Sequence, residues 1–583
     1  MCTGVQCVQT VIARVQAMRI FISVQAFGRC LSATAVAVLF SLGAAPLLAS
    51  AEVARPNILL LMAEDLSPRI GAYGDPVAIT PNLDQLALQG VRYTNAYTAS
   101  GVCATNRAAT ITGMAQESMG GQHMRAYTRG PAPYRATPPP QVKAFPELLR
   151  AAGYYTFTSV KLDYQFSGPL PGWGPNPFTI WDRAERSSKW QLPPEQPFFG
   201  YMNFGSTHES GVFPRWVWPR SMAHLMAQIS HIMAHWDTED QVFPEDVEVP
   251  PYYPDTLPMR TDIARYYNNI ITMDSNVGEV LQQLELAGLA DDTIVIWTTD
   301  HGDGLPRAKR ELYDSGLQVP FIIRWPQKWR PQGVEPGSVE TRMISFVDLA
   351  PTILSLAGVP IPEFIQGRAF AGPGAEAPRQ YVFAARDRID EVADRQRAVR
   401  DKRYKYIKNY NQQAGGFHLG YRDTADGMRE LWRALAAGEL NAEQRQWFEP
   451  RPPEYLFDTQ SDPFELQNLA ADPAYAQILQ RLRDALARHK ATITDYSDSS
   501  EAEMAERFWP GGEEPVTKAV EFNLIGDSLV LQSATTGASI GYRHNGGDWR
   551  LYTGPLNAAA ADGLEAKAVR YGWAESAASS PHR

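Results

Sequence analysis

Four apolar runs of strand length each stop at a polar or charged residue, and this recurring break limits what the chain can fold into more than any bulk property does. Asn57 to Met62 ends in Glu64-Asp65, Tyr154 to Val160 in Lys161, Phe198 to Phe204 in a Gly205-Ser206-Thr207 turn before His208, and Thr293 to Thr299 in Asp300-His301-Gly302. Helical stretches lie between them. Thr80-Pro81 opens one in which Leu83, Leu86 and Ala87 share a face, and Gly90 closes it, the usual placing of proline at the start and glycine past the end. Strands alternating with helices predict an α/β fold with a large parallel or mixed sheet flanked by helices. Ligands bind beyond the carboxyl ends of strands in such sheets, because loops converge there above a rigid floor. Two acids, an amine, an imidazole and a further acid are thereby expected at one edge. Singly, each has a plainer reading: an acid that solvates a turn, a surface lysine, a hydrogen-bonded filler histidine.

The N-terminus departs from the rest. Arg14, Arg19 and Arg29 precede an apolar run from Leu31 through Leu42, followed by Ala49-Ser50-Ala51, the pattern of a secretory signal peptide over residues 1–51, with Met18 a possible initiator. A membrane anchor would need roughly 20 apolar residues, and no lipobox surrounds Cys30. Export, periplasmic or secreted, is the expectation. Loss of the leader takes the net charge from −10 to −13, since it holds three arginines and no acid. So acidic a body excludes nucleic acid as a natural partner, and an anionic substrate would need a local basic pocket. Cys2, Cys7 and Cys30 leave as well, so Cys103 is the only thiol retained. It cannot form an internal disulfide and becomes a candidate for chemistry. A small buried hydrophobe is the ordinary fate of a lone cysteine.

The neighbours of Cys103 favour chemistry. Val102-Cys103-Ala104-Thr105-Asn106-Arg107-Ala108-Ala109-Thr110-Ile111-Thr112-Gly113 resembles the C-x-P-x-R signature of the sulfatase family, the formylglycine-dependent type I enzymes of the alkaline phosphatase superfamily. Arg55-Pro56-Asn57-Ile58, Thr80-Pro81-Asn82-Leu83-Asp84, Asp300-His301-Gly302, Leu312-Tyr313-Asp314-Ser315-Gly316 and Tyr455-Leu456-Phe457-Asp458 extend the resemblance over most of residues 55 to 475. It implies that a maturation enzyme oxidises Cys103 to formylglycine, whose hydrated form attacks sulfur and then expels sulfate. If the segment after Cys103 is helical, Arg107 lies one turn on, within reach of residue 103. A helix N-terminus there would also point free N–H groups at an anion. Fixed cations and a metal would stabilise charge spreading over the sulfate oxygens.

Glu64, Asp65 and Asp300 offer hard oxygens and His301 a nitrogen. The resemblance makes these four, with Cys103, the metal site and Ca2+ the expected ion, other divalent ions being possible. It makes Lys161 and Lys309 contacts to sulfate and leaving group, with Arg310 the rival of Lys309 by one position, and His208 the preferred general acid. Three positions depart from the family pattern: Thr105 replaces the proline, Glu64 the first aspartate, and Lys161-Leu162-Asp163 a K-x-H.

Within the family the chain looks closest to bacterial relatives of heparan N-sulfatase, which implies a sulfated saccharide substrate. Arg386-Asp387-Arg388 and a hairpin from Gln396 to Ile407 turning at Asp401-Lys402 would either reach the pocket rim or form a solvated face. His231 and His235 are one turn apart on a helix with no acid to complete a metal site, so packing or surface roles are expected. Trp216 and Trp218 are expected to pack, with sugar stacking the alternative. The organisation read from the chain is a catalytic α/β domain over 52–375, a smaller C-terminal α+β domain with an antiparallel sheet over 376–500, and a β-rich, sandwich-like module over 514–583. That module resembles the end of chitobiase-type glycosidases, with Asn545-Gly546 as its hairpin turn. Two other functions fit the same features: a phosphodiester or phosphonate monoester hydrolase, and a non-catalytic binder of sulfated glycans.

Overall fold

A computed structural model describes residues 55–124, 133–167, 178–185, 193, 197–235 and 239–581; the predicted signal peptide lies outside them. Eight strands, β1 (Asn57–Ala63), β2 (Val91–Tyr97), β3 (Tyr155–Ser159), β4 (Arg183–Glu185), β5 (Phe198–Phe204), β6 (Thr293–Thr299), β7 (Gln318–Arg324) and β8 (Val339–Ser345), form one sheet in the order β4-β3-β5-β1-β6-β7-β2-β8. It is mixed. β1 lies between β5 and β6 and is parallel to both, whereas β7 runs antiparallel to β6 and β2.

Continuous apolarity in the central strands has a direct cause. Ile58, Leu60 and Met62 enter one core, shared with Ile294 and Ile296. The alternate residues Leu59, Leu61 and Ala63 enter a second, with Val295 and Trp297. Both faces are covered, so both sets of alternating side chains must be apolar. Helix α1 (Pro81–Gln89) buries Leu83, Leu86 and Ala87 on the second face. Helix α2 (Cys103–Thr112) sends Ala108 and Ile111 to the first. Beyond His208, α3 (Met222–Ala234) and the long α4 (Leu257–Leu286) follow, and Ile263, Tyr266, Ile270, Met273 and Val277 of α4 join the second core.

Register sets the working edge. Ala63 pairs level with Phe204 of β5 and Thr299 of β6, so the residues that follow emerge side by side. The N–H of Asp300 donates to the carbonyl of Ala63 at 3.1 Å.

The chain then builds a four-stranded antiparallel sheet from β9 (Val382–Arg386), β10 (Gln396–Arg400), β11 (Tyr404–Asn409) and β12 (Glu454–Asp458). The predicted hairpin is β10–β11, its turn held by Asp401, whose carboxylate accepts the N–H groups of Arg403 and Tyr404 at 2.8 and 2.7 Å. The tail folds as two three-stranded sheets around one core of Val520, Leu529, Leu531, Ile540, Leu564, Ala566 and Ala568. Asn545 and Gly546 both have positive φ, 49° and 74°, as a type I′ turn requires. Strands after this turn include Arg550–Leu551 and Leu564–Val569. Tyr571 leaves the ladder to stack on Phe166, 4.8 Å between centroids. No helix among the described residues is long and apolar enough to cross a membrane.

Candidate active site

Helix α2 begins at Cys103 itself, which is fully buried. Its Sγ lies 3.3 Å from Nε2 of His301 and 3.7 Å from Oδ1 of Asp65. Asp65 sits at φ 51°, a left-handed conformation that ordinary residues seldom adopt. The turn is held by its N–H, which donates to Oδ1 of Asp300 at 3.0 Å, and by the hydroxyl of Tyr266, which donates to its carbonyl. Nε2 of His301 approaches Asp65 at 3.0 Å and Asp300 at 3.7 Å.

Cations close the other side. Arg107, one turn along α2, places Nε on Asp300 at 3.0 Å, Nη1 on Oδ1 of Asn203 at 2.5 Å and Nη2 3.6 Å from Glu64. Nη2 is buried and makes no hydrogen bond. Lys161 pairs with Glu64 at 2.6 Å, and Lys309 with Asp65 at 2.5 Å. His208 stands at the open side, its Nε2 4.0 Å from Glu64. The nine residues singled out in the sequence, Glu64, Asp65, Cys103, Arg107, Lys161, His208, Asp300, His301 and Lys309, thus meet around one sulfur atom.

The electrostatics follow from this crowding. Burial raises the Cys103 thiol, but Lys161 and Lys309 outweigh it and bring it down to about 6. Burial disfavours the charged form of His301, yet Asp300 and Asp65 carry it up to about 10. Burial likewise works against the Asp300 carboxylate, and His301 and Arg107 prevail, holding it down to about 2. Buried charges persist only when paired in this way.

Backbone geometry sends Lys309 and Arg310 to different partners. Arg310 has φ 79° and turns its guanidinium away, bidentate to Glu209 at 2.8 and 2.9 Å and to Asp390 at 2.9 Å. Glu209 carries no mark in the sequence, where one acid after a histidine reads as a turn. Here it also lies 3.3 Å from Lys309, and its N–H donates to Asp65 at 2.7 Å. Asn203, the partner of Arg107, is hidden inside an apolar run, and a lone amide there is the available signal. Asn106, equally unmarked, donates to the carbonyl of Asp300 at 2.5 Å. Thr105 is buried with Oγ1 2.7 Å from Oγ of Ser100.

Two expectations need correction. Arg386, Asp387 and Arg388 are neither rim nor solvated face. Arg386 pairs with Glu311 and Asp394, Asp387 with Arg397, and Arg388 with Glu501, all buried or nearly so. Trp216 and Trp218 do not pack: they are 83% and 91% exposed. Gln228 tethers the carbonyls of Pro214 and Val217 inward, each at 2.9 Å, and the indoles face outward.

A divalent cation fits the donors. Oxygen, sulfur and nitrogen atoms of Glu64, Asp65, Cys103 and His208 lie within 4.8 Å of one another, as do those of Asp65, Cys103, Asp300 and His301. Each group offers carboxylate oxygen, one imidazole nitrogen and the Cys103 sulfur, donors suited to hard or borderline ions.

Comparison with known proteins decides the family. Residues 56–359 match the sulfatase family model, and residues 307–426 that described as N-sulphoglucosamine sulphohydrolase, C-terminal. An ulvan-active sulfatase of Formosa agariphila is 40% identical over 558 residues, covering 90% of this chain and 91% of that protein. The chain belongs to the sulfatase family. It is, accordingly, an enzyme that hydrolyses sulfate esters or sulfamates. Human N-sulphoglucosamine sulphohydrolase is 29% identical over 75% of this sulfatase and 90% of its own length. Among solved structures, a 2-O GAG sulfatase aligns with a TM-score of 0.54 at 21% identity, covering 76% of this chain and 94% of that one. The likeness extends to the large sheet with its flanking helices.

Proposed function

We propose that this sulfatase removes sulfate from a sulfated polysaccharide, ulvan being the first substrate to test, with residue 103 as nucleophile after oxidation to formylglycine. The observation that carries the reading is the convergence of Arg107, Lys161, Lys309 and His208 on the atom at position 103, at the start of a helix. Identity of 40% across 90% of the chain to an ulvan-active enzyme, against 29% across 75% to the N-sulphoglucosamine enzyme, favours ulvan over the N-sulfated sugar that the sequence resemblance suggests.

Calcium held by Glu64, Asp65, Asp300 and His301, together with residue 103, would supply Lewis-acid polarisation of nucleophile and sulfate. Arg107, one helical turn from residue 103, orients the group there through Nη2, which is buried and makes no hydrogen bond. Lys161 and Lys309 stabilise the charge that spreads over the sulfate oxygens, at fixed positions that need no reorganisation. His208, at the open side, presents Nε2 to the departing oxygen or nitrogen as general acid. Both lysines are themselves anchored by carboxylates, so their ammonium groups cannot swing out with the product. The same reading divides the chain into an export leader over 1–51, a catalytic portion over 52–375, a smaller domain over 376–500 and a terminal module over 514–583.

The test is sulfate release by protein produced together with a formylglycine-generating enzyme. Mass spectrometry of the peptide holding residue 103 should show the thiol sulfur and two hydrogens replaced by one oxygen. The matured protein should release sulfate from ulvan fragments faster than from N-sulfoglucosamine, with phosphate and phosphonate monoesters turned over more slowly than either. Aldehyde at position 103 without sulfate release from any sulfated sugar would sink the proposal.

A further inference from the structure

The two nitrogens of His208 face opposite ways. Nε2 looks toward Glu64 and the sulfur, while Nδ1 lies 2.9 Å from Oγ of Ser210 and accepts the Ser210 N–H at 3.4 Å. On its far side, Oγ of Ser210 meets Nε2 of His231, on α3, at 3.0 Å. A line of hydrogen bonds therefore runs from the reacting edge into α3. Close approach is built in. Gly211 carries no side chain where one would press on Cε1 of His231, at 3.1 Å, and on the amide of Asn269. The neighbouring His235 ring stacks beside His231 and is fixed by Thr272 at 2.8 Å.

The direction of each bond follows from one buried atom. Nδ1 of His231 is buried and has no hydrogen-bond partner. Burial, with His208, Arg215 and His235 nearby, pushes His231 down to about 3, so the ring is neutral and carries a single N–H. A buried donor without an acceptor is the costlier arrangement, which puts that hydrogen on Nε2, where Ser210 accepts it. The serine hydroxyl then has its own hydrogen to give, and Nδ1 of His208 is the acceptor in line. The Ser210 N–H approaches the same nitrogen, as suits a lone pair there. A neutral His208 with Nδ1 bare carries its hydrogen on Nε2, the nitrogen that faces the site.

We infer that Ser210 and His231 are positioning residues of sulfate hydrolysis, a hydrogen-bond relay that fixes the tautomer and orientation of His208. The inference rests on the reading of His208 as the donor to the leaving atom. It goes beyond it by assigning work to two residues that lie behind His208, on the side away from residue 103.

The experiment compares matured wild type, Ser210→Ala, His231→Phe and His231→Gln on sulfate esters graded by leaving group, from nitrophenyl sulfate to a sugar sulfate. A nitrophenolate leaves without help, whereas a sugar alkoxide needs the donor. Ser210→Ala and His231→Phe should lower kcat on the sugar ester roughly 10- to 100-fold, with KM little changed and nitrophenyl sulfate turned over within about twofold of wild type. His231→Gln keeps an N–H near the lost Nε2 and should recover most of the rate. Equal losses across the series, or none, would overturn the relay. The tautomer is also read without turnover, from 15N shifts of labelled histidine in the unmatured protein. Wild type should show His208 protonated on Nε2, and Ser210→Ala a mixture of tautomers. Protonation of wild-type His208 on Nδ1 alone would overturn the assignment even if the enzyme is active. A wild type that cleaves no sulfate ester but shows the Nε2 tautomer would defeat the functional reading and leave the geometry of the relay supported.

Discussion

Two buried clusters of charge lie a few residues apart in this sulfatase, and only one of them is built around a reactive atom. In the structural cluster, Arg400 grips Asp314 through Nε, 3.1 and 3.2 Å from the two oxygens, and through Nη2 at 2.8 Å. Lys405 bridges Asp314 at 2.5 Å and Glu465 at 2.7 Å, and donates to the carbonyl of Leu312 at 3.1 Å. Its cations close on its acids and tie the second sheet to the loop after Lys309. The site cluster has a similar inventory, with Glu64, Asp65 and Asp300 against Arg107, Lys161 and Lys309. There the acids converge on the sulfur of Cys103 and one guanidinium nitrogen of Arg107 makes no hydrogen bond. Burial and pairing therefore do not distinguish chemistry from bracing. The direction in which the groups point does.

The contrast is sharpest at residue 103. Cys103→Ala removes one small buried atom from a helix start and should leave the melting temperature within a few degrees of wild type. Against matured wild type, its kcat should be lower by more than about 10^4-fold, measured as sulfate release. Asp300→Asn is the next largest. It weakens the hold on Arg107 and removes a carboxylate from the proposed metal site, so bound divalent ion measured by mass spectrometry should fall and activity drop by at least about 100-fold. Chelation of the wild type should give the same loss, reversed by adding back calcium. Retained activity in a metal-free enzyme would break the comparison, since the site would then be only another set of ion pairs.

Much of this arrangement is legible in the sequence. The bounds of β5 and β6 coincide with the apolar runs because two covered faces favour apolar side chains and exclude charged ones, and the charged or turn-forming residues after each run mark where cover ends. What is not legible depends on backbone turns and distant partners. Whether Lys309 or Arg310 points at the site is decided by a positive φ, which a one-residue shift in the pattern cannot reveal. Glu209 reaches Arg310 across 101 positions of sequence, and no local pattern encodes that. The arginines near 386 read as pocket rim or solvated face because sequence shows charge but not the acids, Glu311 and Asp394, that come to meet it. Trp216 and Trp218 read as inward for their size, when two carbonyls tied to Gln228 point them outward.

The structural cluster should respond in the opposite sense. Lys405→Met leaves Asp314 and Glu465 buried with one cation fewer, which costs about 3–5 kcal/mol of folding stability, measured by urea unfolding. The folded remainder should keep kcat/KM within about twofold, because nothing at the sulfur moves. A variant of normal stability and poor activity would show that the two clusters are coupled.

The smallest effect is expected at Glu117, an acid that belongs to neither cluster. It is buried, its Oε2 has no hydrogen-bond partner, and burial raises it to about 7 against the pull of Arg397. An unfolded glutamate titrates near about 4.3, so between these values the folded chain holds a proton that the unfolded chain has released. The stability this contributes is fully present below the unfolded value and is lost as pH rises through the folded one. Above the folded value the carboxyl is charged while still buried, and the folded state is destabilised relative to its protonated form. Glu117→Gln keeps the shape without the charge, so its stability should exceed that of wild type at pH 8 and converge with it at pH 4.5. Unfolding free energies at the two values measure the difference. An equal effect of the substitution at both would mean that an ion pair with Arg397, rather than burial, governs this carboxyl, and would place Glu117 with the closed pairs of the structural cluster.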